Sequence, residues 1–259
     1  MIFEIDVMLD YFLAEPADVL LQIEVAQMSD QRLIKDLLTV SAPEPMTPVM
    51  GEEAIGQRTW VRGEGAFRAA YTATVEIDRP RLALTDLAAA PPRALPGAVI
   101  PYLMPSRYIE SERFESFVRS RFGNVEGGAK IEAILDWMAR QMAYVAGTSQ
   151  GDTTAMATFV QREGVCRDYA HLTAAFARAA GIPARLVSAY APNVMPQDFH
   201  AVVEVWLSDG WHLVDATGMA KPEEIVRVAV GRDATDIAFM TIHGVAQMND
   251  QKVIVRRIG

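Results

Sequence analysis

With 259 residues, 51% of them apolar, the chain is long enough for one large buried core or two small ones, which excludes intrinsic disorder. A net charge of −9, from 33 acidic against 24 basic residues, leaves no field to gather phosphates and excludes nucleic acid as a partner. A single Cys closes no internal disulfide, and the chain lacks the Cys-x-x-Cys or His-x-x-x-His spacing of a zinc site.

The N-terminal MIFEIDVMLD carries acids where a signal peptide needs basic residues, and no apolar run reaches the roughly 18 to 20 residues of a membrane span. The sequence thus predicts a cytoplasmic protein with no membrane partner. Up to residue 98 the runs IFEIDVML, DVLLQIEV, QRTWVRG and FRAAYTATVEI mix β-branched and aromatic residues with alternation, which predicts an antiparallel β domain. RLIKDLLTV suits a strand or a short helix, and Pro91, Pro92, Pro96 and Gly97 form a linker. From Ser111 the period changes. SERFESFVRSRFG, AKIEAILDWMARQMAYV and DTTAMATFVQREG read as three helices, the first capped by Ser111 and the third by Asp152 or Thr153. A fourth, CRDYAHLTAAFARAAGIP, places Tyr169, Leu172, Phe176 and Ala179 on one face and stops at Gly181 and Pro183. The strands ARLVSAY, HAVVEVWL and WHLVDA follow, the last two joined by the hairpin dipeptide Asp209-Gly210. Helices followed by strands argue for an α+β fold, with a second domain over 99–259.

Cys166 lies in the first turn of the fourth helix. A thiolate is the nucleophile, and the dipole and free N–H groups of a helix N-terminus stabilise it; the backbone N–H of Cys166 also suits an oxyanion beside the attacking sulfur. Such a nucleophile needs a base and a group that orients the base, for which the strands offer His200 and Asp215. On an Asp209-Gly210 turn, Asp215 falls opposite Glu204 and on the same face as His200. The four-residue offset, roughly 13 Å at strand rise, then needs a bulge, a wider loop or a bend to close. The plainer readings stand beside this one: a lone Cys is usually buried, His200 can cap a strand, and Asp215 can be a turn residue ahead of Gly218. His171, five positions after Cys166, suits packing or support. Arg167 and Asp168 read as solvated flanking charges, His212 and His243 as structural residues, and Asp233 and Asp236 as caps or turn anchors.

GVCRDYAHL with ARAAGIPARLVSAY, then HAVVEVWL, then GWHLVDAT resemble the three signature blocks of the bacterial transglutaminase-like proteins. MPSRYIESERF, ILDWMARQMAYVAGTS and GRDATDIAF resemble the same group, so the likeness runs over residues 102–240. It implies a papain-like core of helices packed on an antiparallel sheet, preceded by a β-rich domain. It also implies Cys166 as nucleophile, His200 as general base and acid, and Asp215 as the group that orients His200. The chain departs from the family's usual His-Ala-Trp and Asp-Pro-Thr at His200-Ala201-Val202 and Asp215-Ala216-Thr217, without losing a reactive group. A second oxyanion donor is not evident; Gln161 is the candidate, by analogy with the papain glutamine.

These readings predict a cysteine enzyme that forms a thioester from a peptide, isopeptide or carboxamide and passes it to water, as a peptidase or amidase. Transfer to an amine, as in a transglutaminase, is the alternative, and a non-catalytic binding module on the same scaffold is the reading from another class. No cofactor or metal is implied: calcium would need clustered carboxylates, and those here are dispersed. The expected partner is a peptide or protein substrate.

Overall fold

Alternation along two very long strands builds the first half of the molecule. The computed structural model describes residues 1–259. In β1 (Ile2–Leu21), Phe3, Ile5, Val7, Leu9, Tyr11 and Leu13 turn inward, and after a bulge Ala17, Val19 and Leu21 resume the same face. Leu13 pairs with Gly65 and Ala17 with Gly63, so the extra residues and Pro16 are absorbed where a strand tolerates proline. The two runs read as separate strands are therefore one. RLIKDLLTV is a strand, β2 (Gln31–Val40), followed by β3 (Thr47–Met50); both pair with β4 (Gln57–Ile77), which lies against β1.

After an irregular linker come α1 (Glu115–Phe122), α2 (Gly127–Gln141), β5 (Ala143–Tyr144), α3 (Ala155–Gln161), β6 (Glu163–Gly164) and α4 (Cys166–Ala179). Entry into α1 is a tight turn at Ser111–Phe114 with no side-chain cap, and α3 is capped by Thr154, one residue past the expected positions. Far from showing one apolar face, α4 is buried from Asp168 to Arg178. Phe176 anchors it, with ring centroids 5.3 Å from those of Phe114, Phe117 and Trp137. Gly181, at φ 77°, ends it in the left-handed conformation that the sequence leads one to expect.

The remaining elements are β7 (Ala184–Tyr190), β8 (His200–Leu207), β9 (Gly210–Val214), β10 (Val226–Gly231), α5 (Ala234–Ile237), β11 (Met240–His243) and β12 (Ala246–Arg257). β10-β7-β8-β9 form an antiparallel sheet against α4, so the fold is α+β with helices on an antiparallel sheet, preceded by antiparallel strands. β11 and β12 leave this sheet and pair with β1, the first against Asp18–Leu21 and the second against Phe3–Leu13. This departs from the expected division at residue 98, which placed them with the second domain. The reason is that β1 has an open edge and a buried face to complete: Val253 and Val255 join one apolar cluster of 48 buried residues that crosses both sheets. A chain of charges reinforces the join. Glu204, fully buried, accepts from Arg185 at 2.7 Å and Arg227 at 2.6 Å; Arg185 also meets Glu53 at 2.9 Å, and Arg227 meets Asp30.

Candidate active site

The mouth of α4 is fixed by short-range chemistry. Asp168 is wholly buried, not solvated as its sequence context suggests, and its carboxylate accepts from Val165 N at 2.8 Å and Ser149 Oγ at 2.9 Å. Gly164 makes this possible, because a Cβ there would lie 2.6 Å from Asp168 Cβ. Arg167 donates to Ser149 Oγ and to the Gln150 carbonyl, both at 2.6 Å, tying the 149–150 loop to the same turn. Cys166, at the first helical position, remains partly exposed.

The register of the β8–β9 hairpin brings His200 and Asp215 together. Leu207 pairs with Gly210, so the two-residue loop is Ser208-Asp209, both at positive φ, and not the expected Asp209-Gly210. This register sets Trp206 opposite Trp211 with their rings 5.2 Å apart and edge-on, where the expected one would have faced Trp211 with Ser208. It moves Asp215 two residues toward His200. The offset falls from four residues to two, roughly 7 Å along the strand, within side-chain reach, and no bulge is needed. His200 Nε2 lies 2.9 Å from Asp215 Oδ2, and both side chains are buried.

Asp215 accepts three further hydrogen bonds, from Thr217 N at 2.9 Å, Thr217 Oγ1 at 2.7 Å and Ala220 N at 2.9 Å. Burial works to raise its pKa, but His200 and Thr217 hold the carboxyl below its ordinary range, so it stays ionised. With Nε2 committed to Asp215, Nδ1 is left without a hydrogen-bond partner, on the cleft that Cys166 also lines. Burial is the largest influence on His200 and lowers its pKa; the hydrogen bond and charge of Asp215, with the neighbouring Cys166, outweigh it and push the value up to about 9.

Gln161 does not reach this place. It is the exposed last residue of α3, where the chain reverses through Arg162 at φ 60°, and it does not line the cleft. Tyr144 comes near Cys166 by another route. Parallel pairing of β5 with β6 sets it beside Gly164, two residues before Cys166, and its ring lies 5.9 Å from that of Tyr169 on α4. Burial, then the charge and hydrogen bonding of Cys166, push the phenol pKa up to about 12, with the Cys166 backbone N–H opposing. The phenol thus lies near enough to Cys166 to feel its charge. An isolated Tyr in MAYVAG gave no sequence signal for this, since only strand pairing brings it to the helix mouth.

Other histidines keep to structure. His171 accepts from Ala234 N at 3.2 Å and stacks on Tyr108, and burial holds it neutral with a pKa of about 3; Asp233 caps α5. No three His, Cys, Asp or Glu side chains gather into a metal-binding group, and no helix is long and apolar enough to cross a membrane. Cys166 and His200 open into a cleft of about 470 Å³ walled by the 147–149 loop, Phe199 and, from the other sheet, Met240 and Gln251. A larger concavity of about 770 Å³ lies by Arg79 and Trp211 and holds none of the three residues.

A buried His–Asp pair facing a cysteine at a helix mouth, on helices packed against an antiparallel sheet, is the arrangement of a cysteine-type enzyme. The family model described as the transglutaminase-like superfamily matches residues 118–216, a span that includes Cys166, His200 and Asp215. A crystal structure of a Cytophaga hutchinsonii protein, provisionally named a cysteine protease, is similar over 99% of this chain and 90% of that one, with a TM-score of 0.91 and 30% identity. The chain belongs to the transglutaminase-like superfamily. An uncharacterized Mycobacterium leprae protein is 29% identical over 145 residues, 52% of this chain and 52% of that protein, so the match spans about half of that relative's length. The periplasmic domain of TgpA from Pseudomonas aeruginosa is 18% identical, with a TM-score of 0.43 over 81% of this chain and 92% of that one.

Proposed function

We propose that the protein is a thioester-forming cysteine hydrolase of peptide, isopeptide or carboxamide bonds. The observation that carries the reading is the division of His200, Nε2 bound to a buried ionised Asp215 and Nδ1 left without a partner on the cleft that Cys166 also lines. Sγ of Cys166 attacks the substrate carbonyl, and its electrons move onto the oxygen. The oxyanion is met by the Cys166 N–H and the Tyr144 hydroxyl. As the tetrahedral adduct collapses, the C–N bond breaks and the imidazolium of His200 protonates the departing amine. His200, now neutral, takes a proton from water as it attacks the thioester; the acid leaves and the thiol regains its proton. Asp215 stabilises the imidazolium and fixes the ring. Water is the favoured acceptor because Cys166 is partly exposed in an open cleft.

The test is turnover of a fluorogenic peptidyl-amide library with and without millimolar dansylcadaverine, using Cys166→Ala as blank. Cys166-dependent release with the acyl group recovered as free acid is the expected result. Recovery mainly as the dansylcadaverine amide would overturn hydrolysis in favour of transfer.

A further inference from the structure

We infer that Asp198 makes the cleft beside Cys166 a subsite for a cationic group on an aliphatic stem, the chemistry of lysine and arginine side chains and of alkylamines. The inference rests on the proposed function in taking Cys166 as the point of reaction. Asp198 stands two residues before His200, is exposed, and lines the same cleft as Cys166. Its carboxylate is held in place: Oδ1 accepts from Phe199 N at 2.7 Å and from Gln251 Nε2 at 2.6 Å. Gln251 belongs to β12, so the N-terminal sheet holds a group carried on the loop that leads into β8.

Both donors are neutral, and none of the ion pairs in the molecule includes Asp198. Its charge is therefore fixed and uncompensated, and Oδ2 is left for a ligand. The charge reaches the neighbourhood of Cys166, where it adds to the rise in the Tyr144 phenol pKa. Arg167, the other charge on the cleft apart from the reacting residues, is drawn onto the 149–150 loop by its two hydrogen bonds. Ile237, Phe239 and Met240 line the same cleft, with Phe239 stacked on Phe199 at 4.2 Å. Apolar lining together with a fixed carboxylate suits methylenes that end in a cation.

The test measures second-order rates of Cys166 modification by three methanethiosulfonates, 2-aminoethyl, methyl and 2-sulfonatoethyl, each divided by its rate with free cysteine. In the intact chain the cationic-to-neutral ratio should exceed the anionic-to-neutral ratio. Asp198→Asn should lower the first and raise the second, each about 3- to 10-fold as expected for removing one partly screened charge, and Asp198→Glu should keep the native order. Ratios unmoved by Asp198→Asn would overturn the subsite. Failure of the proposed function is distinguishable, since it shows as a Cys166 no faster than free cysteine with the neutral reagent, whatever the ratios. Peptidyl amides differing only in Lys against norleucine then locate the cation: a Lys preference of about tenfold in kcat/KM that Asp198→Asn removes places it on the acyl donor. Equal rates for the two, with an Asp198-dependent gain from cadaverine as acceptor, place it on the incoming amine. Neither effect in an active enzyme contradicts the subsite.

Discussion

Burial alone would strip His200 of its proton, and Asp215 with Cys166 reverses that outcome, setting the pKa at about 9. Since this lies above the unfolded value of about 6.5, the stability His200 contributes is complete below about pH 6.5 and is lost as pH rises through about 9. Asp215 runs the other way: its depressed value gives stability above the ordinary carboxylate range, lost as pH falls through its folded value. The gap in stability between the native chain and Asp215→Asn should therefore be widest between about pH 4 and 6.5, roughly 3 kcal/mol. Denaturant melts from pH 4 to 10 should show it narrowing above neutrality; a gap that widens with pH contradicts the pairing. Turnover should fall on the same alkaline limb. Tyr144→Phe removes the proposed second oxyanion donor and keeps the ring against Tyr169, so kcat should drop about 10- to 100-fold with little change in KM. An unchanged kcat would remove Tyr144 from the mechanism.

At the scale of elements, the helix mouth depends on a carboxylate with no solvent to hold it. Asp168→Ala would leave Val165 N–H and Ser149 without their acceptor, at a cost of about 1–3 kcal/mol by chemical denaturation. A loss under 0.5 kcal/mol would mean that water replaces the carboxylate. The elements also show what the sequence could and could not convey. Helix periodicity and the Gly181 stop located α4, and with it Cys166, because those signals are local. The His200–Asp215 contact was half legible: parity gave the shared face, but the register was decided by Trp206 packing on Trp211, a cross-strand preference that a turn dipeptide does not report. Gln161 failed for the converse reason. One left-handed residue, Arg162, turns the chain away after it, while β5–β6 pairing brings in Tyr144 from a distance that no spacing rule measures. Thr217, two residues after Asp215, was in plain view, but its role needs the folded turn.

Across the whole molecule the two sheets act as one body. The C-terminal strands β11 and β12, end to end along β1, complete the N-terminal sheet and supply a wall of the cleft, which a division of the sequence at 98 hid because strand partners far apart in the chain leave no local mark. Glu204 sits at the centre of the charge chain that crosses the join. Glu204→Ala would strand Arg185 and Arg227 in the interior and should cost about 3–5 kcal/mol, loosening both sheets in one transition by urea melts followed in the near and far ultraviolet. Two separate transitions would argue against the shared core. What this body positions is a cysteine facing an imidazolium, and the direct measurement of that claim is the rate of Cys166 alkylation by iodoacetamide at pH 6, in the native chain and in His200→Ala. We expect the native rate to exceed that of free cysteine by about tenfold or more, and to lose the advantage without His200, because a nucleophile with its base on the same cleft is activated by it. A native rate at or below that of free cysteine would contradict the account.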